Sequence, residues 1–143
     1  MPDISLLRKA GRQHGIISFD QLADLGYDRR QIQYRMNAGL LVRVYRRVYG
    51  VPGARMWSVE FRVMAACLAA DGLASYRCAA ALFGLRRVTS DRVEITVEGR
   101  RAPRLPGVRG HRCDSLESQD RATIAAIPVT APARTGSRCR AVA

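Results

Sequence analysis

Between Ser18 and Val51 the spacing of apolar residues changes twice. Leu22 and Leu25 lie three apart, and Ile32 and Met36 lie four apart, which is the spacing of a helical face. From Leu41 onward Val42 and Val44 alternate with Arg43 and Tyr45, the period of a strand. Each helical stretch carries its own start and stop. Ser18 with Gln21, and Asp28 with Gln31, are capping boxes, in which each side chain satisfies a backbone donor that the first turn leaves unpaired. Gly26 and Gly39 follow the two stretches, with Leu40 just past the second stop, and can take the left-handed conformation that ends a helix. The pattern therefore predicts two short helices joined by a tight turn, then a β-hairpin with Arg46 and Arg47 at its tip and Val48 resuming the inward face. Before them, Asp3 caps a first helix running to about His14, with Leu6, Leu7 and Ala10 inward; Gly15 ends it and Ile16–Ile17 are extended.

Beyond Val51, Pro52–Gly53 marks a turn or linker. MWSVEFRVMAACLAADG then predicts an apolar helix, with Val59, Val63, Ala66 and Ala70 at helical spacing and Trp57 and Phe61 on a neighbouring face. Asp71–Gly72 breaks it, and Ser75 caps a second, Ala-rich helix closed by Gly84. From Arg86 the period becomes two: Val93, Ile95 and Val97 alternate with Glu94, Thr96 and Glu98, as in a half-buried strand. A basic loop stiffened by Pro103 and Pro106 leads to a second strand, VRGHRC, and AIPVTAP supplies a last extended piece. GSRCRAVA at the end has neither period and reads as a tail, residues 136–143.

These elements predict an α+β protein. Residues 1–51 form a winged helix-turn-helix of three helices plus a hairpin wing. Residues 54–135 form a small α+β domain with two helices and short antiparallel strands. In such a wing-and-helix arrangement the outward residues of the third helix are Arg29, Arg30, Gln33, Tyr34 and Asn37. Arginines bond guanine edges or phosphates and amides pair with adenine in the major groove, so this set is suited to reading a duplex. Taken alone, such a helix is more often an ordinary solvated basic face. The adjoining wing, with Arg43, Arg46 and Arg47 to reach phosphates or the minor groove, favours DNA.

Charge strengthens that expectation. The 143 residues carry a net charge of +12 and a sequence pI of about 10.9, so a polyanion is the expected partner, nucleic acid before an anionic membrane. Nearly all the positive charge is arginine, Lys9 being the only lysine, and arginine's planar fork suits phosphate and guanine. A GC-rich genome would produce the same bias. The charge is spread over both halves, so the second is a further candidate to touch nucleic acid, through Arg100, Arg101 and Arg104 of the Pro-stiffened loop; a merely solvated loop is the equal alternative. No apolar run reaches the roughly 20 residues that span a bilayer, and the first residues lack a leader's apolar core. A soluble cytoplasmic protein is expected, with Cys67, Cys78, Cys113 and Cys139 as free thiols.

Catalytic chemistry is not expected. A metal-dependent nuclease needs a carboxylate cluster, often with a lysine; here Asp91 and Glu94 stand near one strand, but Glu94-Ile95-Thr96 contains no lysine. His111 and Cys113 face one side of a strand, yet two ligands fall short of the four a structural zinc requires. There is no Gly-rich phosphate loop and no nucleophile elbow. No cofactor and no metal are expected.

Residues 1–51 resemble the amino-terminal domain of AbiEi-type antitoxins, the transcriptional regulators of type IV toxin–antitoxin systems. The helix-turn-helix, AGLL at Ala38–Leu41 and VRVYRRVYGV at Val42–Val51 carry the likeness. ASYRCAAALFGL, EITVEG, VRGHRC and IPVTAPART are similar to the domain that follows in actinobacterial members. The resemblance implies a protein that binds double-stranded DNA at its own promoter and represses it, and in some members neutralises a nucleotidyltransferase-like toxin. It also implies glycine at the wing tip, where this chain has Arg47. In such proteins PART leads into an apolar helix and here it runs into GSRCRAVA, so a truncated or frame-shifted chain is expected. Two other readings stand beside this one: a truncated relative of Vsr-like endonucleases that keeps only the DNA-binding and linker domains, and a protein-interaction module without specific DNA binding.

Overall fold

A computed structural model describes residues 4–53, 56–84, 93–99, 101–131 and, for the backbone alone, 140–141. The chain divides into two compact units, Met1–Ala69 and Ala70–Ala143. The apolar helix after the wing is thus grouped with the first unit.

In the first unit, α1 (Ile4–Arg12) leads through Gly15, at φ 89°, into β1 (Ile16–Ser18). Both capping boxes form: Ser18 closes the start of α2 (Phe19–Asp24), and Asp28 that of α3 (Arg29–Asn37). In each, the cap side chain accepts from the amide of Gln21 or Gln31, whose own side chain accepts from the cap amide. The wing is β2 (Val42–Tyr45) and β3 (Val48–Gly50), and β1 pairs with β3 to make a three-stranded antiparallel sheet in the order β1-β3-β2. Leu6, Ala10, Ile17, Leu22, Ile32, Leu41 and Tyr49 form the core, edged by Phe19, Tyr27, Met36 and Val51. Each such large apolar side chain contributes roughly 1.5–3 kcal/mol by leaving water.

Three details depart from the periodic reading. Leu7, expected inward, is 51% exposed, because Leu6 and Ala10, four apart, already fill the buried face of α1. The helix itself stops at Arg12, short of His14, and Asp3, its expected cap, lies outside the described residues. Past α3 it is Leu41 that enters the core, at 2% exposure, while Leu40 stays 54% exposed. The left-handed turn at Gly39, φ 77°, directs the chain so that the second leucine meets the core. Leu25 likewise falls at the C-cap of α2 and is partly exposed.

The last element of this unit is α4 (Val59–Ala70), whose residues Phe61 and Val63–Cys67 are all buried. Its Phe61 lies so close to Gly50 of β3 that a Cβ there would stand 2.5 Å from the ring tip. Trp57 precedes the helix and meets the Phe61 ring edge-on at 5.3 Å.

The second unit corrects the expectation of short antiparallel strands. Among the described residues it holds a six-stranded mixed sheet, ordered β7-β8-β4-β5-β6-β9. Its strands are β4 (Leu73–Ala74), β5 (Val93–Glu98), β6 (Val108–Cys113), β7 (Arg121–Ile124), β8 (Ile127–Thr130) and β9 (Arg140–Ala141). β5 and β6 run parallel along six paired positions, and β4 is parallel to β8. β5, paired with a strand on each edge, is buried from Val93 to Val97 and not only at alternate positions, so both of its faces are covered. α5 (Tyr76–Leu82) begins at Ser75, whose hydroxyl is not used as a cap and bonds Thr96 Oγ1 at 2.7 Å. Within the final stretch, Arg140–Ala141 pair with β6, while 132–139 and 142–143, with Ala133–Arg134–Thr135, lie outside the described residues. Cys67 and Cys78 are buried and outside any disulfide, as expected; Cys113, expected as a free thiol, is disulfide-bonded.

Candidate nucleic-acid interface

The third helix owes its orientation to Ile32, 2% exposed, and to the partly buried Met36. With 3.6 residues per turn, Arg30, Gln33, Tyr34 and Asn37 fall at i, i+3, i+4 and i+7, on the side opposite Ile32. All four are exposed or partly exposed, Tyr34 at 67%. Within the stripe Gln33 Nε2 donates to Asn37 Oδ1 at 3.0 Å, so the two amides are held side by side. An amide pair beside an arginine is a set of directed donors and acceptors of the kind that base edges in a major groove present.

Arg29 belongs to the flank of this stripe. One residue from Arg30, it is turned about 100° around the helix, and its guanidinium lies over the Phe19 ring, 5.8 Å from the centroid. Arg35, which periodicity did not single out, is held over the Tyr27 ring at 4.5 Å and donates to the Gln31 carbonyl at 3.1 Å. It fastens α3 to the turn before it.

In the wing, Arg43, Arg46 and Arg47 reach solvent. Tyr45, expected to point outward with Arg43, is half-buried. A register shift between Arg43 and Tyr45 breaks the two-residue alternation, as a bulge does. Burial raises the pKa of its phenol above the ordinary value, an effect that the nearby Arg62 guanidinium opposes. Arg47 has φ 63°, in the left-handed region that favours glycine. Its backbone carbonyl accepts from the Phe19 amide at 2.8 Å, and its guanidinium sits 4.5 Å over the Phe19 ring. The Nη2 group also donates to Asp20 Oδ1 at 2.7 Å. Phe19 thus lies beneath two of the expected DNA-facing arginines, one from α3 and one from the wing. Neither Phe19 nor Asp20 could be found from spacing, since Arg47 is 27 residues from Asp20.

Residues 5–52 match the family model of the AbiEi antitoxin transcriptional regulators. The matched stretch runs from α1 through β3 and ends before α4. It contains the whole exposed stripe and the wing. The matched family is one of transcriptional regulators. No curated protein matches the chain.

Of the other candidate chemistry, Arg101 and Arg104 lie in the loop that leads to β6, while Arg100 and Asp91 lie outside the described residues. Pro103 of that loop lies against Gly110 of β6. Glu94 and His111 are buried in the second unit: Glu94 Oε2 accepts from the Arg77 amide at 2.8 Å, and His111 packs its ring on Tyr76 at 4.2 Å. Among the described residues no group of three or more His, Cys, Asp or Glu is placed to hold a metal ion. No helix there is long and apolar enough to cross a membrane.

Proposed function

We propose that this protein is a DNA-binding transcriptional regulator of the AbiEi antitoxin class. The carrying observation is the stripe Arg30–Gln33–Tyr34–Asn37, directed away from the core and set beside an arginine-tipped hairpin within the region that matches the family. In this reading α3 enters the major groove with that stripe on base edges, while Arg43, Arg46 and Arg47 engage phosphates and Arg29 flanks the groove. The target is double-stranded DNA at its own promoter, where binding represses transcription in the cytoplasm. The second unit serves as the contact for a partner protein, a nucleotidyltransferase-like toxin.

A labelled duplex from upstream of the gene tests it, with a scrambled duplex as competitor. The upstream duplex should bind more tightly, and Asn37→Ala or Arg30→Ala should reduce that preference by about 1–3 kcal/mol for each bidentate base pairing removed. Arg46→Ala should weaken both duplexes alike and flatten the salt dependence by about one phosphate. Equal affinity for the two duplexes would defeat sequence-specific reading. Co-purification with the product of the neighbouring gene tests the partner role.

A further inference from the structure

We infer that Asp20 occupies the wing arginine Arg47 in the free protein in the place that a DNA phosphate takes in the complex, and so holds down affinity for DNA of any sequence. This rests on the DNA-binding reading above and names a regulatory residue of the same surface. A carboxylate and a phosphodiester offer a guanidinium the same thing, an anionic oxygen that accepts N–H bonds. Asp20 Oδ1 already holds that position at 2.7 Å from Arg47 Nη2. The Asp20 side chain is 81% exposed, so little besides this ion pair holds it in place. Exposed pairs of this sort are weak enough for a phosphate to displace.

Arg47 itself is held on its other sides. Its guanidinium rests on the Phe19 ring, its carbonyl is bonded to the Phe19 amide, and its backbone is in the left-handed conformation. Releasing Asp20 therefore leaves the cation in position at the wing tip. Arg46, its neighbour, makes no ion pair among the described residues, so only one of the two tip arginines is under this control. The consequence is a penalty on every encounter with a duplex, imposed at a phosphate and so blind to sequence.

The test is a cycle of wild type, Asp20→Asn, Arg47→Ala and the double variant, with Asp24→Asn as the control for removing one exposed charge from the same helix. Each protein is titrated by fluorescence anisotropy against the upstream duplex and the scrambled one at fixed salt, after urea melts have matched their stabilities. Asp20→Asn should tighten both duplexes by the same factor, up to about fivefold, the ceiling for an exposed ion pair, and by more than Asp24→Asn does. In the Arg47→Ala background the Asp20 substitution should give no more than Asp24→Asn. A gain that survives the loss of Arg47, a gain confined to one duplex, or no gain beyond the Asp24 control overturns the inference while leaving DNA binding intact. Failure of wild type to bind either duplex removes the DNA-binding reading, and this inference with it.

Discussion

Replacing Gly50 by alanine is a sharp test of how α4 joins the wing sheet, because it adds one methyl group at a defined place. That Cβ would stand 2.5 Å from Phe61 Cζ, 2.9 Å from Cε2 and 3.4 Å from Val44 Cγ2. Carbon atoms in contact prefer separations of about 3.5–4.0 Å, so the ring or the strand has to move by about an ångström. Phe61 is fully buried and meets the Trp57 ring edge-on at 5.3 Å, so a shift of the ring disturbs that contact. Overpacking of this kind costs about 1–3 kcal/mol. Against it, losing a glycine from the unfolded chain returns about 0.4–1 kcal/mol. The net destabilisation is then about 0–2.6 kcal/mol, centred near about 1.3, which with a urea m-value of roughly 1–3 kcal/mol per molar lowers the midpoint by about half a molar. Far-UV circular dichroism in urea reads it directly. Phe61→Leu in the same chain should recover part of the loss, so that the double variant is more stable than the sum of the singles by at least about 0.5 kcal/mol. An alanine variant with the parent's midpoint and slope would mean that Phe61 does not lie on Gly50, and the packing described for α4 would be wrong.

Other substitutions probe the site and the second unit. Asp28→Ala removes the cap of α3 and should cost about 0.5–2 kcal/mol in a urea melt, with a matching loss of affinity only if the helix frays. Arg47→Gly relieves a left-handed non-glycine residue, worth roughly 1 kcal/mol, and loses an exposed ion pair of about 0.2–1 kcal/mol and the stack on Phe19, about 0.5–1 kcal/mol; stability should fall by no more than about 1 kcal/mol while affinity for any duplex falls, and a larger drop would refute that balance. His111 is 2% exposed with neither ring nitrogen hydrogen-bonded, and burial holds its pKa below the ordinary histidine value, with Arg109 acting in the same direction and the Glu94 carboxylate opposing. The unfolded chain therefore takes up the proton more readily, so the stability present above the ordinary histidine pKa of about 6.5 is lost as pH falls below it, until the folded pKa is passed. Urea midpoints measured downward from pH 7 should show this fall at no more than about 1.4 kcal/mol per pH unit, and His111→Phe, which can keep the ring against Tyr76, should flatten it. An unchanged pH profile in that variant would assign the dependence elsewhere.

Much of the first unit was legible residue by residue. The two capping boxes close within four residues, and a glycine stop or an outward arginine at helical spacing needs no distant partner to be recognised. None of the five expected DNA-facing residues on α3 is buried for that reason: the helix has a single buried stripe, and the rest of its surface follows from geometry. Which of them cooperate was not legible. The stack of Arg29 and Arg47 on Phe19 joins positions from three elements. The bulge that turns Tyr45 inward depends on a partner strand. In the second unit the periodicity at 93–98 correctly indicated a strand but underestimated its burial, since alternation cannot reveal that a second face is covered.

By itself, then, the order of residues determined the two short capped helices of the first unit and the arginine-tipped hairpin, because each rests on interactions within a few positions along the chain, and the excess of positive charge, which is a sum over composition. Tertiary structure alone decided that Asp20 would hold Arg47, that Leu41 and not Leu40 would enter the core, and that β5 would lie beside a parallel β6. Those outcomes depend on which surfaces meet once the chain has closed on itself, and contacts between positions far apart leave no local period to read.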